Sequence, residues 1–211
     1  GRPVCECLVC MARPKTSART TDRDMPLTHP EVADSARQLT AVVKDAQALC
    51  APLSAETFNW QPGPGRWSMG QCLEHLNTTE RAFLPRIHEA IERVRASGKR
   101  SAGPTRIGFF MRWFIREMEP PPKRRFRTKP AFVPPSVLRK DAVLAEFTAL
   151  HDQLLQYLEG VNGYDLGSVK IGSPFAPLLR YNLGAAFALI AAHDRRHLWQ
   201  AREVVKQLPT A

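Results

Sequence analysis

Four stretches of the chain place apolar residues at every third or fourth position, and each is bounded by prolines, glycines or capping residues. A 3.6-residue period with one apolar face is the mark of a helix, and such a face is stable only when buried against another element. In the first stretch Val32, Ala36, Leu39, Val43 and Ala46 form the face, ending near Cys50, and Thr28-His29-Pro30-Glu31 has the form of a capping box. The second starts at Ser68, whose spacing to Gln71 is again that of a capping box, with Trp67 placed to staple onto Cys72. Its stripe is Met69, Leu73, Leu76, Phe83, Ile87 and Val94. Ser136 can cap the third, which carries Val143, Phe147, Leu150, Leu154, Leu158 and Val161. The fourth runs from about Pro174 or Ala176 to Gln207, with Leu179, Leu183, Phe187 and Ile190 on its buried side and a loop, Gly163 to Ser173, before it. No segment alternates with a period of two for long, so β-structure should be minor. The expected fold is all-α, an antiparallel four-helix bundle with one long crossover between the second and third helices.

That crossover, Gly98 to Pro135, holds a short apolar helix, about Ile107 to Met118, followed by Pro120, Pro121 and Pro122. Between Arg93 and Lys129 lie twelve basic and two acidic residues, so the whole formal charge of +10 falls in this stretch and the rest of the chain is balanced. A uniformly cationic surface is therefore excluded. Phe109, Phe110, Trp113, Phe114 and Phe126 are interleaved with the basic residues, a mixture that can bind phosphate backbones or an anionic membrane surface. Packing is the preferred reading. Apolar residues cover most of the short helix, leaving Arg112, Arg116 and Glu119 as a narrow polar strip. Lys123 to Lys129 would then be a solvated loop after the prolines; a third reading keeps the charge functional, flanking the pocket and attracting an anionic thiol or substrate.

With 44% hydrophobic and 24% charged residues the chain has the composition of a globular protein. The longest uncharged apolar run, Leu183 to Ala192, falls well short of the roughly 18–20 residues that cross a membrane. Five cysteines are an odd number and argue against a disulfide framework, so a cytoplasmic setting is expected. Residues 1–24 lack any periodic apolar pattern and read as a disordered leader, which either a start site placed too far upstream or a remnant of cloning would explain; residues 25–208 are expected to form the domain. Cys5, Cys7 and Cys10 in the leader offer three thiolates, one short of a closed zinc site.

Continuing the apolar face of the fourth helix past Ile190 leads to His193, His197, Ala201 and Val204. Imidazoles at i and i+4 lie one above the other and can hold a single ion, whereas Asp194, Arg195 and Arg196 should point away toward solvent or the rim. His75 lies at the edge of the second helix's stripe; if those two helices are neighbours, three imidazoles can converge. Three neutral ligands with an open position are the arrangement of a catalytic metal rather than a closed structural one. Gln71 and Gln200 are placed to orient ligands, and His29, His88 and His151 read as structural or incidental, His151 on an exposed helix face. Cys50 and Cys72 read as packing residues.

The segment FNWQPGPGRWSMGQCLEHL, Phe58 to Leu76, resembles the first metal-ligand motif of DinB-like proteins, and AAHDRRHLWQ, Ala191 to Gln200, resembles their C-terminal H-x-x-x-H motif. The likeness extends over about Met25 to Leu208. It implies a DinB/YfiT-type bundle with a divalent metal held by His75, His193 and His197. Relatives of known activity include bacillithiol transferases and mycothiol-dependent maleylpyruvate isomerase. By this likeness the chain is expected to be a thiol-dependent S-transferase acting on a small-molecule substrate with a low-molecular-weight thiol. Zinc is the first choice of metal and nickel the second, since imidazole suits both. A homodimer is compatible with the likeness. The competing class is a binding or stress-response protein without catalysis, its metal site structural or vestigial and its basic crossover contacting nucleic acid or another anion. Nucleic acid is the less favoured partner of the two readings.

Overall fold

The computed structural model describes residues 27–209 apart from Arg125 and Pro177. The leader, with Cys5, Cys7 and Cys10, lies outside the described residues. Six α-helices form: α1 (Pro30–Cys50), α2 (Ala55–Asn59), α3 (Met69–Ser97), α4 (Phe109–Met118), α5 (Lys140–Gly160) and α6 (Leu183–Val205). Two strands, β1 (Lys170–Gly172) and β2 (Arg180–Asn182), pair antiparallel with Ile171 opposite Tyr181.

α1, α3, α5 and α6 are the four expected helices, and each of α1 and α3 packs against both α5 and α6. Cross-links fix the directions. Lys140 at the start of α5 bonds the Cys50 carbonyl at the end of α1, whereas Arg81 and Arg95 of α3 meet Glu146 and Gly160 of α5 in the same order. Arg195 and Arg202 of α6 reach Gln38 and Asp45 of α1, again in the same order. The bundle therefore runs up, down, down, up, and the parallel pair α3–α5 is what requires a crossover as long as the bundle.

The predicted stripes of α3 and α5 are buried throughout, and burying each large side chain contributes about 1.5–3 kcal/mol. In α1 the buried line is Val32, Ser35, Leu39, Val42, Ala46 and Cys50, with Ala36 and Val43 half-buried beside it. The core is divided in two. One apolar cluster gathers Phe83, Ile87, Leu154 and Phe187; the other gathers Leu73, Leu76, Phe147 and Leu198.

Local signals at the helix ends fare unequally. The Ser68–Gln71 capping box forms, with Gln71 N–H donating to Ser68 Oγ at 3.1 Å and Ser68 N–H to Gln71 Oε1 at 3.0 Å. The Thr28–Glu31 box does not form. Glu31 instead accepts from the Thr105 amide at 2.9 Å, while the Thr28 and His29 amides donate to Asn162 Oδ1. Ser136 does not cap the third helix, which begins at Lys140 after Arg139. The fourth begins at Leu183 rather than near Pro174, because Arg180–Asn182 is drawn into the hairpin and Asn182 caps the Ala185 amide. α2 is an additional element; its Phe58 is fully buried directly over Gly70, where a Cβ would come within 2.6 Å of the ring.

Candidate metal centre

α3 and α6 run antiparallel side by side, which brings the first third of α3 against the middle of α6. His75, His193 and His197 meet there. Ring centroids are 4.5 Å apart for His75–His197, 4.6 Å for His193–His197 and 5.3 Å for His75–His193, and one nitrogen from each lies within 4.8 Å of the other two. His75 and His197 are buried and His193 is half-buried.

Two of the rings are held from behind. His75 Nδ1–H donates to the Phe132 carbonyl at 2.8 Å, and His197 Nδ1–H donates to Gln200 Oε1 at 3.1 Å. A proton fixed on Nδ1 leaves the Nε2 lone pair free for a metal, the usual tautomer control in metal sites. All three rings favour the neutral form. Burial lowers the His75 pKa, with the Phe132 carbonyl partly opposing it. Burial and the neighbouring His75 lower His193 to about 3, and burial with the other two imidazoles takes His197 well below its ordinary value. The donor set thus fits a divalent ion: three neutral nitrogens, two with the correct tautomer, close together and out of water.

Trp67 completes one wall, 4.9 Å from the His75 ring and stacked 5.8 Å from that of His197. The capping box places it there, by fixing the turn that enters α3. Gln71 orients no histidine; its side chain is shared between Ser68, Gln61 and the Pro134 carbonyl. Gln200 does orient one, as expected. The crossover is also part of the centre, since the 3-10 turn Pro130–Phe132 supplies the carbonyl behind His75.

The two arginines beside His193 do not point into solvent. Arg195 is half-buried and donates from Nε and Nη2 to the Glu119 carboxylate and from Nη1 to Gln38 Oε1, while the buried Arg196 donates to the Glu117 and Arg124 carbonyls. They latch the crossover to α6. α4 packs on α6 through Met111 and Met118, but Phe109 and Phe110 stay exposed, so the short helix buries less of its apolar surface than its composition suggests. The basic residues from Arg93 to Lys129 that the structure describes are all exposed. Cys50 and Cys72 are buried with pKa values pushed up, Cys50 to about 11 despite Lys140 nearby, so neither is a thiolate at neutral pH.

Asp194 and His151 depart most from expectation. Both are buried in the bundle with Glu80, and one ligand-type atom from each of the three lies within 4.8 Å of the others.

The sequence profile of the DinB superfamily matches residues 38–201, the span that contains all three histidines of the centre and all four bundle helices in whole or large part. The chain belongs to the DinB superfamily. The matched span begins within α1 and ends within α6, so the DinB domain is the bundle itself together with its crossover. No curated protein and no solved structure matches the chain. Among the described residues of this DinB-superfamily chain, no helix is long and apolar enough to cross a membrane.

Proposed function

We propose that this DinB-superfamily chain binds one divalent metal ion through His75, His193 and His197 and uses it in a thiol-dependent S-transfer to a small electrophilic substrate. The observation that carries the reading is the tethering of His75 and His197 through Nδ1, which leaves their Nε2 lone pairs free in a cluster where one nitrogen of each of the three rings lies within 4.8 Å of the others. Three protein ligands leave a fourth position for an exogenous group. A bound ion favours thiolate over thiol, supplying the nucleophile at neutral pH. The protein's own tasks are the remaining ones. Trp67 covers the rings of His75 and His197 and keeps water from them. Gln200 and the Phe132 carbonyl hold two rings in register. Both described cysteines are buried and protonated, which supports a thiol that arrives from outside. Zinc is the preferred ion and nickel the next. The exposed basic crossover favours an anionic thiol or substrate over a neutral one.

Protein purified without a histidine tag, stripped by chelation and reloaded with zinc or nickel tests the reading. Wild type should consume bacillithiol or mycothiol in the presence of an electrophile only when loaded. His193→Ala should lose one metal equivalent and the activity while keeping its helical circular dichroism. Unchanged metal content in His193→Ala would remove the proposal's basis.

A further inference from the structure

The two apolar clusters of the bundle are separated by a polar layer. Glu80 on α3, His151 on α5 and Asp194 on α6 lie between them, with at most 1% of each residue exposed. His151 is the centre of the layer. Its Nδ1–H donates to the Phe147 carbonyl at 2.9 Å and lies 3.4 Å from Glu80 Oε2, while Nε2 lies 3.3 Å from Asp194 Oδ2. Neither Glu80 oxygen nor Asp194 Oδ1 meets a donor group, although all three atoms are shut off from solvent, so without a cation the two carboxyl groups must share a proton. Two carboxylates so placed are costly to bury unless positive charge joins them.

We propose that Glu80, His151 and Asp194 form a second divalent-cation site, separate from the three-histidine centre and structural in role. Three observations favour an ion here. The Phe147 carbonyl accepts from His151 Nδ1–H, so in the neutral ring the Nε2 lone pair faces Asp194 Oδ2 at 3.3 Å, a contact that requires either a second ring proton or a cation between the two atoms. The 3.3 Å separation of Nε2 and Oδ2 is that of neighbouring ligands around an ion with bonds of about 2.0–2.1 Å in tetrahedral geometry. The orphaned carboxylate oxygens supply two negative charges, which cancel those of a divalent ion and leave a loaded core site neutral. One imidazole and two carboxylates suit zinc, ferrous iron or manganese. Buried from solvent, the site has no face open to a substrate; its ion would tie α3, α5 and α6 together at mid-height.

Metal counting on the full chain separates this site from the other. Untagged protein is stripped and then equilibrated with manganese, which thiolates take poorly, and in parallel with zinc. Glu80→Gln and His151→Gln should each bind one equivalent less than wild type, His193→Ala also one less, and His151→Gln/His193→Ala two less. Glu80→Gln is nearly isosteric, so it decides the matter if His151→Gln fails to fold. Wild-type metal content in a normally helical Glu80→Gln protein would overturn the inference. If only His193→Ala changes the count, the second site falls and the three-histidine centre stands. If only the Glu80 and His151 variants change it, the second site stands and the proposed function loses its metal.

Discussion

Within one helical turn along α6, two polar clusters solve the problem of buried polarity in opposite ways. His193 and His197 face His75 across to α3, and every member of that group is at rest when neutral. Asp194, the residue next to His193, faces Glu80 and His151 and brings carboxylates with unpartnered oxygens into the core. The histidine cluster is bordered by Trp67 and by the crossover, so it lies at the edge of the packed interior; the acidic cluster is sealed by apolar residues above and below. A neutral ligand set leaves a bound dication's charge uncompensated and able to polarise what approaches. A ligand set of charge minus two cancels it. On the two proposed assignments, the same bundle would hold a reactive ion at its edge and an inert one in its middle.

The largest effect expected from breaking this contrast is at the edge. His197→Ala removes a proposed ligand, and we expect loss of one metal equivalent, an affinity drop greater than the roughly 10–100-fold typical of an outer-shell change. Isothermal titration with zinc measures it, and an affinity within tenfold of wild type would contradict the assignment. Gln200→Ala should keep the stoichiometry but weaken binding about 10–100-fold, because it frees the His197 ring without removing it. Equal affinity in wild type and Gln200→Ala would show that the ring is held by packing alone.

The apo protein should reveal the two clusters through opposite pH dependence. The three histidines have folded-state pKa values below the ordinary 6.5, His193 at about 3, so the unfolded chain takes up protons that the folded one refuses. Their share of stability is complete above about pH 6.5 and is lost as pH falls toward 3. Glu80 behaves in reverse. Burial and the Asp194 carboxylate raise its pKa well above 4.5, so the folded protein holds a proton that the unfolded chain releases, and stability declines as pH rises above 4.5. Glu80→Gln should therefore raise the Tm of the apo protein at pH 8 by several degrees, at about 2–4 °C per kcal/mol for a chain of this size, and leave it unchanged at pH 4. In metal-loaded protein the sign should invert. Thermal melts at the two pH values, with and without chelator, check both halves.

Why one cluster was legible in the sequence and the other was not follows from helix geometry. His193 and His197 continue the stripe of Ile190, and their spacing alone suggests a shared ligand. Asp194 continues another line, Ile190–Asp194–Leu198, which is equally buried because α6 packs against α1, α3 and α4 and has no free face. A residue beside a ligand points to solvent only when the helix has a solvent face. The signal was present: Leu76–Glu80–Leu84 and Phe147–His151–Leu155 repeat the same pattern of one polar residue in an apolar line. Only the up-down-down-up order brings those three positions to one level. The caps divide in the same way. Ser68 and Gln71 are bound to each other by the local chain, whereas Thr28 and Glu31 meet partners more than seventy residues away, Asn162 and Thr105, which no local spacing reveals. The hairpin before α6 has strands of three residues each, too short for a period of two to be seen.

The smallest expected effect concerns the crossover. Its backbone serves the histidine centre through the Phe132 carbonyl, while its exposed charges touch neither cluster. Replacing Lys123, Arg124, Arg127 and Lys129 together by glutamine should therefore leave metal content and affinity at both sites unchanged. The change should appear only as a loss of a few fold in kcat/KM for an anionic thiol, through slower encounter, and it should fade as salt shortens the Debye length from about 10 Å at 0.1 M to about 3 Å at 1 M. A fall in metal affinity in this variant would mean that the side chains, and not the path of the backbone, hold the crossover against His75. A loss that persists at high salt would mean that these residues contact the substrate. Either result would add side chains of the crossover to an edge cluster that, on the present geometry, uses only its backbone through the Phe132 carbonyl.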